Sequence, residues 1–177
     1  SRGLGDVYKR QGVVTTLAGS GSSGSADGTG TDASFNQPFR VAVSPDNTFA
    51  LVADSLNEKI RHIVVATGVV TTLAGSGTTG SADGQGTAAS FNAPYGLSIS
   101  PDGAFALVAD KRNVKIRQIV LSSATVTTLA GSGSFGDSDG TGTAASFFFP
   151  YDVAVSPDSS FALVVDKGLK TVKHITL

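Results

Sequence analysis

Short apolar runs separated by turn residues dominate the chain. Each run is rich in Val, Ile, Phe, Leu and Thr, and no segment shows the 3.6-residue period or the length of an amphipathic helix. The first unit predicts four β-strands, which are Phe39 to Ser44, Phe49 to Asp54, Lys59 to Val65 and Val69 to Ala74. The links between them are short, and Ser44-Pro45-Asp46-Asn47 suits a type I turn closed by a left-handed residue. The pattern therefore predicts an antiparallel meander of four strands.

The same unit recurs with an offset of 56 residues. Residues 12–67 and 68–123 are identical at 37 of 56 aligned positions without a gap, and a third copy occupies residues 124–177. The first eleven residues, Ser1 to Gln11, match neither corresponding segment. We interpret them as a leader foreign to the repeats, similar to an adaptor or cloning remnant, and we expect them to be disordered and to add nothing to stability.

Both faces of the second strand in each unit are apolar, so each sheet must be covered on both sides. Stacked four-stranded sheets with neighbours on each side are typical of β-propeller blades. Aromatic residues return at three repeat positions, and we interpret all nine as packing residues between blades. These residues are Phe35, Phe91 and Phe147, then Phe39, Tyr95 and Tyr151, then Phe49, Phe105 and Phe161.

Three motifs in each unit resemble the NHL repeat family. In the first unit they begin at Pro38-Phe39-Arg40-Val41, at Leu51-Val52-Ala53-Asp54 and at Val70-Thr71-Thr72-Leu73. The resemblance covers residues 12–177 and implies an all-β fold, a β-propeller of four-stranded antiparallel blades. It also implies a ring of six blades, of which this chain would supply about half. We then expect two open sheet faces, through which such a chain could self-associate.

Charge and composition exclude several classes of function. The chain has 13 Lys and Arg against 14 Asp and Glu, and without residues 1–11 the counts become 10 and 13. This mildly acidic balance argues against nucleic acid as a partner. No apolar run approaches the length of a membrane span, so we expect no membrane insertion in this segment. The absence of Cys removes disulfides and thiolate chemistry.

Candidate chemistry is sparse. His62 and His174 occupy one repeat position on the third strand and read as surface residues rather than catalytic bases. Asp137 and Asp139 resemble the start of a calcium loop, but the bidentate Glu is absent and the other copies lack the first Asp. We therefore interpret the Asp-Gly there as a turn, and we expect no cofactor.

A second group of Asp residues recurs in register. Asp54, Asp110 and Asp166 end the second strand of each unit, where they can cap the following turn, with Arg61, Arg117 and Lys173 as possible partners. An alternative interpretation is a ring of carboxylates near one mouth of the channel.

The sequence favours a non-catalytic binding or scaffolding propeller with a protein partner. Its recognition face would combine the long linkers, such as Gly19 to Gln37, with the loops after the second strands, because a meander places both at one sheet edge. The candidate residues of this face are Asp54, Asn57, Asp110, Asn113, Asp166, Asp27 and Asp83. The alternative is part of a six-bladed hydrolase, lactonase or lyase whose channel metal would be supplied by other blades.

Overall fold

The computed structural model describes residues 12–177, and the prediction made for Ser1 to Gln11 lies outside the described residues. The strands are β1 (Gly28–Thr29), β2 (Pro38–Val43), β3 (Phe49–Asp54), β4 (Lys59–Val64), β5 (Val69–Ala74), β6 (Gly84–Gln85), β7 (Pro94–Ile99), β8 (Phe105–Asp110), β9 (Lys115–Val120), β10 (Thr125–Ala130), β11 (Pro150–Val155), β12 (Phe161–Asp166) and β13 (Thr171–Thr176). Five single-turn 3-10 helices of three residues each lie in the described chain, at Gly30–Asp32, Ser55–Asn57, Gly86–Ala88, Lys111–Asn113 and Gly142–Ala144.

The strands form three antiparallel sheets, one for each repeat. The first has the order β1-β5-β4-β3-β2, the second β6-β10-β9-β8-β7 and the third β11-β12-β13. The predicted all-β class and the predicted meanders over residues 39–74 and 95–130 are confirmed, as are the three strands of the last repeat. No described helix is long and apolar enough to cross a membrane.

Each complete sheet has a fifth strand that the sequence did not predict. Gly28 and Thr29 pair with Val70 and Val69, so the linker before a blade adds two residues to that blade's outer edge. Gly84 and Gln85 do the same in the second sheet. The linkers are therefore laid along the blades rather than suspended between them.

Residues 13–18 repeat the sequence of β5, and this repetition predicts a further outer strand there. This prediction is wrong for the structure as described, in which they form no strand. A strand requires a paired neighbour, and no described residue pairs with this segment.

The hydrophobic core lies between successive sheets. Phe91 packs in a buried cluster with Leu51 and Ile60 of the first sheet and with Leu97 and Val108 of the second. A corresponding cluster around Phe147 joins the second sheet to the third. The prediction that aromatic residues pack between blades is therefore confirmed for this repeat position.

The innermost strands β2, β7 and β11 lie side by side, so the sheets radiate from this edge. Gly96 permits the close approach, because a Cβ atom there would lie 2.4 Å from the Cα of Asp152. Arg40 reaches past it to form an ion pair of 3.3 Å with Asp152. Side chains from the first and third blades thus meet across the middle blade.

Candidate functional site

The linkers and the loops that follow the second strands meet at one face of the molecule, as the sequence predicted. The clearest link is Arg61, whose side chain is fully buried. Its Nη1 donates to Asp54 Oδ2 at 2.8 Å, and its Nη2 donates to Asp27 Oδ1 at 2.6 Å. The guanidinium also donates to the backbone oxygens of Ala26 and Ser34. One arginine therefore fixes the linker to its own blade.

The second repeat builds the same network. Arg117 donates to Asp110 Oδ2 at 3.0 Å and to Asp83 Oδ1 at 2.7 Å, and it also bonds the backbone oxygens of Ala82 and Ser90. Its guanidinium lies 5.4 Å from the ring centroid of Phe91, as Arg61 lies 5.2 Å from that of Phe35. Because both complete repeats build the same hydrogen bonds, the network follows from the repeat sequence.

The amide of Asn57 adds a second tie between loop and linker. Its Nδ2 donates to Gly24 O at 2.7 Å and to Asp54 Oδ2 at 2.8 Å. Asn113 does the same with Gly80 O and Asp110 Oδ2. These conserved contacts within the chain explain why Asn follows the second strand by three residues in both complete repeats.

The third repeat is built differently. Asp166 accepts hydrogen bonds from the backbone N–H groups of Phe148, Phe149, Gly168 and Leu169. Lys173 stands where the other repeats have Arg, and it reaches Asp139 Oδ1 and Asp137 O at 2.9 Å each.

The five predicted aspartates of the face thus divide into two groups. Asp54, Asp110 and Asp166 are completely buried, so they cannot themselves contact a partner, and the capping interpretation describes them correctly. Asp27 and Asp83 remain about half exposed. Burial acts to raise the pKa of Asp27, but hydrogen bonds from Arg61 and Thr72 outweigh it and hold that pKa below its ordinary value.

The calcium candidates are engaged by a lysine. The ammonium of Lys173 lies 2.9 Å from both Asp139 Oδ1 and the backbone oxygen of Asp137. Across residues 12–177, no three His, Asp or Glu side chains come together as a metal-binding group.

The two histidines lie apart on separate blades and stack on aromatic rings. His62 packs against Phe49 at 4.8 Å between ring centroids, and burial lowers its pKa. His174 packs against Phe161 at 5.0 Å.

The second of the three aromatic repeat positions gives the unexpected feature of the site. Phe39, Tyr95 and Tyr151 come from three blades but form one cluster, with ring centroids 4.0 Å apart for Phe39 and Tyr95 and 5.2 Å apart for the two tyrosines. Each lies at an irregularity in strand pairing directly after the first residue of β2, β7 or β11. An extra residue at such a position turns its side chain out of the regular alternation. Their prediction as packing residues between blades was wrong, because the irregularity directs them to the inner edge of the loop face.

Two lysines of the same face contact this cluster. Lys111 Nζ lies 4.1 Å from the ring centroid of Tyr95, and Lys167 Nζ lies 5.0 Å from that of Tyr151. Cations at these distances interact favourably with the π-face of the ring. Lys111 and Lys167 occupy equivalent repeat positions, where the first repeat has Ser55.

A second aromatic group extends the cluster outward in the third repeat alone. Phe135, Phe148 and Phe149 lie 5.0 to 5.6 Å apart, and Lys111 Nζ is 5.7 Å from the Phe149 ring. Phe135 is 59% and Phe148 is 40% exposed. We call Phe39, Tyr95, Tyr151, Phe135, Phe148 and Phe149, with Lys111 and Lys167, the aromatic surface.

Sequence reasoning missed this surface, although a signal was present. The second repeat has Thr79, Asn92 and Ala93 where the third has Phe135, Phe148 and Phe149. Three polar or small residues thus become phenylalanine in one repeat. Gly168 supports the change, because a Cβ atom there would lie 2.5 Å from the Phe148 ring.

Comparison with known proteins agrees with the repeat geometry. No protein-family model matches the chain. NHL repeat-containing protein 2 of Bos taurus is 36% identical over 104 residues, which are 58% of this chain and 14% of that protein. The chain is an NHL-type repeat protein.

Two further similarities define how far the likeness extends. The chloroplastic protein SUPPRESSOR OF QUENCHING 1 of Arabidopsis thaliana is 29% identical over 168 residues, covering 93% of this chain and 16% of that protein. An auxiliary nutrient binding protein of Bacteroides ovatus has a TM-score of 0.72 at 20% identity, with 84% of this chain and 39% of that chain covered. The chain therefore spans about a seventh of the length of the curated relatives it matches, and the structural likeness supports the propeller fold alone.

Proposed function

We propose that this NHL-type chain is a non-catalytic binding module that recognises a protein partner through its loop face, with the aromatic surface as the main contact. The observation that carries the proposal is the exposure of Phe135 and Phe148 on this face. Both rings pack against each other rather than into the core between blades. Exposed, clustered aromatic rings are typical of protein interfaces.

The chemistry of the surface suits a protein partner. Aromatic side chains supply large contact area at a low entropy cost, and they are enriched among the residues that dominate binding energy. Lys111 and Lys167 place two positive charges beside the rings, which favours a partner segment that carries carboxylates as well as apolar groups.

Rigidity of the linkers supports the same function. Buried Arg61 and Arg117 hold the two linkers to their blades, while Asp27 and Asp83 keep about half of their side-chain surface exposed. A pre-ordered loop loses less conformational entropy when it binds than a flexible one does. The two linkers are thus held in place on their blades before any partner binds.

The repeats themselves provide matched variants for a test. Phe135→Thr with Phe148→Asn introduces the residues that the second repeat carries at these positions, so the fold tolerates them. Asn47→Gly makes the same kind of exchange in a turn on the opposite face, where the second repeat has Gly103. Partners are captured from a cell lysate with each immobilised protein and quantified by mass spectrometry.

We expect the double variant to lose the partners that the unmodified chain and Asn47→Gly retain, with circular dichroism unchanged in all three. Equal capture by the double variant, or selective loss with Asn47→Gly, would show that the loop face is not the binding surface.

A further inference from the structure

The repeat position just after the second strand differs between the two junctions of the described sheets. At the first junction it holds Ser55, which is 1% exposed and whose hydroxyl donates to the backbone oxygen of Pro94 in the next blade. At the second junction the same position holds Lys111. An ammonium group thus stands where the first repeat makes a buried hydrogen bond within the chain.

The ammonium of Lys111 lies over aromatic rings of two blades. Its Nζ is 4.1 Å from the ring centroid of Tyr95, 5.5 Å from that of Tyr151 and 5.7 Å from that of Phe149. A ring face attracts a cation, but it replaces only weakly the acceptors that the three N–H donors of an ammonium require. Within residues 12–177, Lys111 Nζ forms no hydrogen bond or ion pair, so its donors remain open to a group from outside.

The acidic side chains next to this lysine and on the neighbouring strand are already engaged. Asp110 directly precedes Lys111, but it is completely buried and binds Arg117. Asp152 lies on β11 and forms its ion pair with Arg40 at 3.3 Å. Neither carboxylate is paired with the ammonium, so an anion that neutralises it has to come from a bound molecule.

The turn that carries Lys111 is held in place by the linker of its own repeat. Arg112 N donates to Asn92 O at 3.1 Å, and Asn113 Nδ2 donates to Gly80 O at 2.6 Å. The backbone beside the lysine is therefore ordered before a partner binds. Such order lowers the entropy cost of placing the ammonium against an anion.

The loop face is open to solvent at this junction. Lys111 belongs to the second sheet, which has another sheet packed on each side. Thr79, the residue of the second repeat that corresponds to Phe135, is exposed in spite of these neighbours. The face is therefore open where blades are packed on both sides, and Phe135 lies on this open side.

The ammonium and the exposed rings lie close enough to contact one short segment. Lys111 Nζ is 5.7 Å from the Phe149 ring centroid, which is 5.0 Å from that of Phe148. An extended chain rises about 3.3 Å per residue, so roughly three residues span the distance from the ammonium to the Phe148 ring.

We propose that Lys111 determines the specificity of the aromatic surface by binding the side-chain carboxylate of an Asp or Glu in an extended partner segment, about three residues or fewer from an apolar residue that covers Phe148. The inference rests on the proposed function, since it concerns the same surface. A carboxylate and an ammonium form strong, charge-assisted hydrogen bonds where neighbouring rings exclude water. A segment without an acidic residue would cover the ammonium and leave it unpaired, which disfavours neutral apolar partners.

The first experiment selects random peptides displayed on phage against the immobilised chain and against Lys111→Glu. The unmodified chain should enrich peptides in which Asp or Glu lies within about three positions of Phe, Trp, Leu or Ile. Lys111→Glu should enrich Lys or Arg in place of the acidic residue and keep the apolar one. Acidic peptides enriched equally by both proteins, apolar peptides without an acidic residue on the unmodified chain, or no enriched peptide at all would each overturn the proposal.

The second experiment measures the affinity of one selected peptide, synthesised with a C-terminal amide so that only side chains supply a carboxylate. Lys111→Met keeps most of the aliphatic stem, and it should weaken binding about tenfold, as should exchange of the acidic residue of the peptide for its amide. Both changes together should weaken binding little more than either one. Lys111→Arg should retain most of the affinity, and Lys59→Met, which removes the same charge from β4 of the first blade, should leave it unchanged.

The outcomes separate this inference from the function on which it rests. Additive losses, unchanged binding by Lys111→Met, or failure of the amidated peptide to bind would overturn the role of Lys111, while loss of binding by Phe135→Thr with Phe148→Asn would still locate the peptide on the aromatic surface. Unchanged binding by that double variant would refute the proposed function as well. Single-stranded DNA of mixed sequence should not displace the peptide, and displacement would overturn the proposal in favour of base stacking on the rings. Circular dichroism verifies that every variant is folded.

Discussion

Replacement of Arg117 by Met tests how strongly the buried guanidinium holds its linker to the blade. The substitution keeps much of the aliphatic stem and removes the guanidinium, whose four hydrogen bonds include those to Asp110 and Asp83. Asp110 would remain completely buried without its cation. Asn113 and the Asn92 N–H would be left as its hydrogen-bond partners.

The expected loss follows from this burial. Removing one partner of a buried ion pair typically costs about 3 to 5 kcal/mol, because the remaining charge is left uncompensated. With a urea dependence of about 2 kcal/mol per molar, the unfolding midpoint should fall by roughly 2 M. Arg117→Lys should cost less, because the third repeat shows with Lys173 that an ammonium can reach the linker carboxylate and a backbone oxygen.

Lys115→Met is the matched control. Lys115 lies two residues earlier on the same strand, and its described polar contact is a marginal one of 3.5 Å to Ser81 Oγ. Its replacement should change stability by less than about 0.5 kcal/mol. Urea unfolding is followed at one fixed protein concentration, since any association would add to the apparent stability.

A double variant separates the ion pair from the shape of the site. Asp110→Asn in the Arg117→Met background removes the stranded charge, so the double variant should be more stable than Arg117→Met alone. Losses of the same size for Arg117→Met and Lys115→Met, or no recovery in the double variant, would refute the reasoning.

Three further predictions concern the fold and its pH dependence. Gly96→Ala should destabilise the chain by about 1 to 3 kcal/mol in urea unfolding, because its Cβ atom would lie 2.4 Å from Asp152 Cα; an unchanged midpoint would mean that β7 and β11 are further apart than described. Phe91→Ala should lower the free energy of unfolding by about 3 to 5 kcal/mol, and Phe35→Ala should lower it clearly less, since Phe91 is fully buried between two sheets and Phe35 is half-buried. Equal losses of stability in thermal unfolding would contradict this. Hydrogen bonds from Ser156 and Ser160 lower the pKa of Asp158 from 3.8 to about 2, so its carboxylate contributes stability above pH 4 that is lost as the pH falls towards 2. Asp158→Asn should therefore reduce the acid-dependent loss of stability in unfolding measurements at pH 5, 3 and 2. An identical pH profile for the variant and the unmodified chain would count against this.

The strands could be predicted from the sequence because local chemistry determines their ends. Asn47, Gly103 and Ser159 adopt the left-handed conformation after the repeated Pro-Asp, as expected for that turn. In contrast, Gly28 and Thr29 have no strand-like composition. They form β1 only because Arg61, distant in sequence, binds the neighbouring Asp27 and holds the linker against β5. Pairing that depends on tertiary contacts leaves no periodic signal in the sequence.

The aromatic surface shows the same limit for the site. Regular alternation along β2 would direct Phe39 towards a neighbouring blade, and the pairing irregularity that turns it away has no clear local signature. The burial of Asp54 could have been predicted from the sequence, because Arg61 was expected as its partner across the hairpin. Its assignment to an exposed face was not compatible with that pairing.

Hydrogen–deuterium exchange of the chain with and without a captured protein partner tests binding through the aromatic surface most directly. The account predicts increased protection in the peptides that contain Phe135, Phe148 and Lys111, together with those at the start of β7 and β11. It predicts no change in the opposite turns at residues 44–48, 100–104 and 156–160. Protection confined to those turns, or to the exposed faces of β2 and β12, would contradict the claim that the loop face is the binding surface.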